Sequence, residues 1–88
     1  MMRVTVRNEV NSTTIEVEGK LTSDWVLPVF ETWTRVAAAG KQIVLNLSDV
    51  SAVDSHGRRL LMEMHRRGVH LVGSGLVIRA LIEEILAD

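Results

Sequence analysis

The sequence predicts a small α/β domain in which an N-terminal antiparallel hairpin leads into three strand–helix units, in the order β-β-α-β-α-β-α. Three observations carry that prediction. Two short N-terminal segments alternate apolar and polar residues, the period of strands with one face on a core. Segments near 25–37, 57–64 and 77–85 repeat apolar residues at helical spacing. Between the first two helical patterns lies the nearly continuous apolar run Ile43-Val44-Leu45-Asn46-Leu47, the pattern of a strand inside a parallel or mixed sheet. The 88 residues are 47% apolar, with 6 glycines and 1 proline, which fits a folded chain and a single domain spanning residues 1–88.

Each element follows in turn. Arg3 to Arg7 sets Val4 and Val6 against Arg3, Thr5 and Arg7. Thr13 to Glu18 sets Ile15 and Val17 against Glu16 and Glu18, and the turn-forming Asn8 to Ser12 joins the two strands as a hairpin. Gly19 is expected to end the second strand, with Thr22, Ser23 or Asp24 capping the first helix. Trp25, Val26, Val29, Phe30, Trp33, Val36 and Ala37 share its spacing, and Gly40 stops it. Pro28 is tolerated only in the first turn, so the cap falls near Asp24 or the regular helix starts at Leu27.

Ser48 to Val53 reads as a connection to Asp54, a good cap for the second helix. Gly57, Leu60, Leu61, Met64 and Gly68 form that helix's stripe. Val69 to Val72 is a short strand, and Gly73-Ser74-Gly75 turns the chain into a last helix. That helix points Val77, Ile78, Leu81, Ile82 and Ile85 inward and Arg79, Glu83 and Glu84 outward. The sheet is mixed, of about four strands, with the last three parallel through right-handed crossovers. Sequential winding puts every helix on one side of it, whereas the apolar run at 43–47 argues for some cover on both. The sequence leaves these two arrangements open.

Composition removes several functions. Lys and Arg number 10 against 11 Asp and Glu, a net charge of −1 without the basic excess of a nucleic-acid binder. With 0 cysteines there is no disulfide and no Cys-ligated metal site. No apolar run approaches the roughly 20 residues of a membrane span, and the N-terminus has no signal-peptide core. The expectation is a cytoplasmic module without a membrane span, nucleic-acid partner or cofactor.

The segment from Val44 to Gly57 carries the most information: a buried strand, a short connection, and Asp54-Ser55-His56-Gly57 at a helix start. This Asp-Ser-x-Gly at a strand-to-helix junction, with Glu18-Gly19-Lys20-Leu21 at the end of the second strand, resembles the STAS family and its bacterial anti-sigma-factor antagonists. The likeness covers nearly the whole chain and implies a STAS-like fold. It also implies that Ser55 is a phosphoacceptor for a partner serine kinase that doubles as an anti-sigma factor, with Asp54 the acid before it. Asp54, His56, Gly57, Arg58, Arg59 and Thr22 are the implied partner-binding residues. Thr22 stands where the antagonists commonly carry an acid, and Arg58 and Arg59 follow the motif where an apolar residue is usual. Many relatives add a final strand, so the last strand here is expected to be an open edge; oligomeric state is not legible.

Simpler readings stand beside these. Asp54 and Ser55 serve equally well as a helix cap. Arg58, Arg59, Arg66 and Arg67 form either a solvent face laced to Glu63 or a docking surface for an acidic protein. His56 and His65, nine residues apart on a helix, fall on opposite faces and do not make a metal site. Trp33 belongs to the core, while Trp25 near the helix start is either buried or an interface anchor. There is no phosphate loop, and Ser55 and His56, adjacent on a helix, diverge rather than form a dyad, so the chain is not expected to be an enzyme. Three functions remain in order: a phosphorylation-switched antagonist-like regulator, a non-switching STAS subunit docked on a transporter or other assembly, and a small enzyme or ligand-binding domain.

Overall fold

In the computed structural model, which describes residues 2–87, the chain runs β1 (Arg3–Asn8), β2 (Ser12–Leu21), α1 (Ser23–Ala37), β3 (Gln42–Val53), α2 (Ser55–Arg66), β4 (His70–Val72) and α3 (Leu76–Leu86). The strands form one mixed sheet in the order β1-β2-β3-β4. β1 is antiparallel to β2, with Val4 opposite Val17 and Val6 opposite Ile15. β3 and β4 add in parallel, so Ile15, Leu45 and Leu71 line up in one row across the sheet.

The alternation read from the sequence decides which face is covered. Ile15, Val17, Ile43, Leu45, Leu47 and Leu71 enter the same core cluster as Val29 and Trp33 of α1, Leu60, Leu61 and Met64 of α2, and Ile78, Ile82 and Ile85 of α3. All three helices therefore cover one face, which settles the open alternative in favour of sequential winding. Val44 and Asn46, in the middle of the apolar run, are only half-buried and stand on the other face. That face is polar across β1 and β2, where Arg7 pairs with Glu16 at 2.9 Å and Arg3 with Glu18 at 3.8 Å. Exposed pairs of this kind contribute about 0–1 kcal/mol each. A single buried leucine is worth more than that, so the aliphatic face holds the fold.

Five local expectations need correction. Ser48 to Val53 is strand, not connection: Glu18 pairs with Asp49, Gly19 with Val50, Lys20 with Ala52 and Leu21 with Val53. Gly19 does not end β2; at φ 102° it lies between two register shifts that let β2 and β3 stay paired to Leu21. α1 starts at Ser23, which places Pro28 in its second turn. The carbonyl four residues before it, on exposed Asp24, accordingly lacks the bond that a Pro28 N–H would donate, and the Thr32 hydroxyl donates to the Pro28 carbonyl at 2.9 Å. Finally, Val77 faces outward, and Gly68 is not part of the α2 stripe but the exposed turn residue after the helix, at φ 91°.

Leu45 has no solvent exposure and sits at the centre of the sheet. Leu45→Ala is expected to lower the unfolding free energy by about 2–5 kcal/mol in urea titrations. Thr5→Ala on the open face is expected to change it by less than about 0.5 kcal/mol.

Candidate protein-binding site

Parallel pairing of β2 and β3 delivers Leu21 and Val53 side by side, and the next residue of each strand begins a helix. Thr22 and Asp54 are both extended, with φ −121° and −89°, so each turns its chain from strand into helix. The N-termini of α1 and α2 are thereby brought together at one end of the sheet.

Asp54 serves both. Its Oδ1 accepts the Gly57 N–H at 2.9 Å, capping α2, and its Oδ2 accepts the Ser23 N–H at 2.9 Å, capping α1 across 31 residues of chain. Its own N–H donates to the Leu21 carbonyl at 3.2 Å. Thr22 occupies the α1 cap position as anticipated, but its side chain makes no cap bond; the carboxylate from the neighbouring strand takes that role. The Gly57 N–H, with smaller help from the Ser23 N–H and the charge of His56, holds the Asp54 carboxyl below its ordinary value of 3.8, against a partial opposing effect of desolvation.

Gly57 is the contact that lets α2 come this close. A β-carbon there would overlap the Leu21 carbonyl oxygen and stand 3.0 Å from both Leu21 Cγ and Val53 Cγ1. Gly57 is buried, and it packs beneath the site.

The other anticipated residues divide. Ser55, the first residue of α2, and His56 are exposed. Arg58 is tied to Glu84 of α3 at 2.7 Å and braces the two helices. Arg67 and Arg66 pair with Glu63 at 2.9 and 4.0 Å, the laced face anticipated for this helix, although Arg59 is not its partner. Arg59 is exposed and makes no ion pair among the described residues. It lines a shallow groove of about 410 Å³ in which Leu27 and Phe30 of α1 face His56, Arg59 and Leu60 of α2. Leu27 and Phe30 are 61% and 43% exposed, and neither was singled out from the sequence as a surface residue. The available signal was that α1 carries more apolar residues than one inward stripe holds. Trp25 is partly buried against the core.

Comparison with known proteins agrees with this architecture. A family described as "Mlab, STAS domain" matches residues 4–87, and the chain belongs to the STAS family. An anti-sigma factor antagonist from Mycobacterium paratuberculosis superposes with a TM-score of 0.86 at 19% identity, over 100% of this chain and 80% of its own. The anti-sigma factor antagonist SpoIIAA in its unphosphorylated form gives 0.71 at 18% identity, over 92% and 82%. The fold also occupies 19% of a longer protein, Mglu, matching 82% of this chain with a TM-score of 0.67 and 26% identity. No protein of curated function matches the sequence. No helix among the described residues is long and apolar enough to cross a membrane.

Two outcomes are expected. Gly57→Ala forces α2 away from the end of β2 and is expected to destabilise the domain by about 1–3 kcal/mol in urea titrations. For Asp54, a lowered folded-state pKa means that the carboxylate stabilises the fold above its unfolded value of 3.8 and loses that contribution as pH falls through the folded pKa. Wild type should therefore exceed Asp54→Ala in thermal midpoint at neutral pH, and the gap should shrink below pH 3.8. A gap that does not depend on pH contradicts the double cap.

Proposed function

We propose that this chain is a protein-binding module, not an enzyme, which captures a protein partner through the paired starts of α1 and α2 and is released by phosphorylation of Ser55. The observation that carries the reading is the placement of an exposed hydroxyl at the first residue of α2, beside a groove that combines apolar Leu27 and Phe30 with the cation of Arg59. Membership of the STAS family and the likeness of fold to two anti-sigma factor antagonists, one of them described in its unphosphorylated form, support it. By the same analogy the partner is a cytoplasmic serine kinase acting as an anti-sigma factor.

Magnitudes favour a switch that spares the fold. A phosphate on Ser55 adds about −1.5 to −2 charges, and the α2 N-terminus offsets some of this by about 0.3–1 kcal/mol. Asp54 already occupies the Gly57 and Ser23 N–H donors, so the phosphate stays on the surface beside a second anion. A partner seated on the groove must then desolvate it, at several kcal/mol per uncompensated ion. That penalty exceeds the local stabilisation, so the complex breaks while the domain stays folded.

Arg59 favours a second reading. A cation without an ion pair among the described residues, set at an apolar groove, is a docking feature that needs no phosphorylation, as in a non-switching subunit of a transporter or other assembly. The two readings separate on a partner isolated from the source cell. If Ser55 is the switch, a serine kinase with ATP labels Ser55 by mass spectrometry, and Ser55→Asp weakens partner binding about tenfold or more. If the subunit reading holds, Ser55→Asp leaves affinity within about twofold, while Arg59→Glu weakens it about tenfold.

A further inference from the structure

The last helix, α3, is apolar around most of its circumference, yet the fold uses only part of it. Ile78, Ile82 and Ile85 are buried, whereas Leu76, Val77 and Leu86 are 84%, 76% and 53% exposed and Ala80 is also exposed. An apolar surface of this kind on a helix is normally covered. Gly75 at its start supplies no side-chain cap, so little besides the inner stripe stabilises this helix.

The uncovered side has a definite pattern. Leu76, Arg79, Glu83 and Leu86 follow one another at intervals of three, four and three residues, which places them in a single row along the helix. The row reads the same in both directions apart from the sign of charge: leucine, cation, anion, leucine. Arg79 and Glu83 are exposed and, among the described residues, form no ion pair with each other or elsewhere. Their order, cation before anion, is the weaker one for a pair within a helix. Shallow depressions of about 520 and 300 Å³ flank the row, both touching Arg79 and Glu83.

We propose that two copies of this chain pair through α3, antiparallel about a two-fold axis that passes midway between Arg79 and Glu83 on the row. A two-fold contact must be self-complementary. Here the axis sets Leu76 against the partner's Leu86 and Arg79 against the partner's Glu83, each contact occurring twice. Small Ala80 beside the row permits close approach. The helix is only about 16 Å long, so the contact lies below the roughly 1,200 Å² of stable interfaces and the dimer is weak. This surface is separate from the Ser55 groove, and the pairing does not depend on the function proposed for that groove.

Sedimentation velocity on the 88-residue chain between about 10 µM and about 1 mM tests this. The average mass should rise with concentration from 9.8 kDa towards twice that value. Arg79→Glu and Glu83→Arg, each setting like charges face to face, should raise the dissociation constant about tenfold or more, and the double exchange should return it to within about threefold of wild type. Circular dichroism of each variant reports whether the exposed changes leave the fold intact. A chain that stays at 9.8 kDa throughout overturns the pairing and leaves the α3 face to a different protein. A dimer that survives both single changes, or a double exchange as weak as the singles, overturns this geometry.

Discussion

Two helices that begin side by side present the same electrostatic problem twice, and one carboxylate answers both. Each N-terminus exposes unpaired N–H groups and a partial positive charge, and parallel pairing of β2 with β3 brings the two ends together. Asp54 accepts one N–H from each helix start and donates its own N–H to the last carbonyl of β2. The arrangement works only because Gly57 lets α2 touch the Leu21 carbonyl. Asp54 and Gly57 therefore do structural work at the place where the Asp-Ser-x-Gly motif would otherwise be read as purely functional. Ser55 and His56, between them, are left free on the surface.

The domain divides its surfaces accordingly. One sheet face and three helices share the aliphatic core, and the opposite face of β1 and β2 carries charge pairs in water. The end of the sheet where α1 and α2 begin combines an exposed hydroxyl, a cation held by no ion pair among the described residues and two exposed apolar side chains. Arg58, fixed to Glu84, shows how adjacent arginines of one helix can differ in role: one braces α3, and its neighbour Arg59 faces the groove.

Element order was legible because periodicity directly reports burial: Val4 with Val6, Ile15 with Val17, and Leu60, Leu61 and Met64 fall where the alternation and the helical stripe place them. The Asp54 cap on α2 and the exposure of Ser55 were legible from the junction they occupy. The far half of β3 was hidden because Ser48, Asp49 and Ser51 resemble a loop until the pairing of Asp49, Val50, Ala52 and Val53 with Glu18 to Leu21 is known. The Asp54 bond to Ser23 spans 31 residues, and local sequence contains no sign of it. Leu27, Phe30 and Val77 were hard to place for a related reason: helical spacing shows that a residue is apolar and where it lies on the helix, but tertiary packing sets how wide the covered stripe is. Pro28 was placed by a rule for helix interiors, yet it sits in a second turn whose freed carbonyl belongs to an exposed residue.

The central claim is that partners read the paired helix starts. The most direct measurement is amide chemical-shift mapping of the isotope-labelled domain as an isolated partner is added. The account predicts that the perturbed amides cluster over residues 22–30 and 55–60, with the outer sheet face unchanged. Perturbations centred instead on Arg3, Arg7, Glu16 and Asn46, with Ser55 and Arg59 silent, would contradict it.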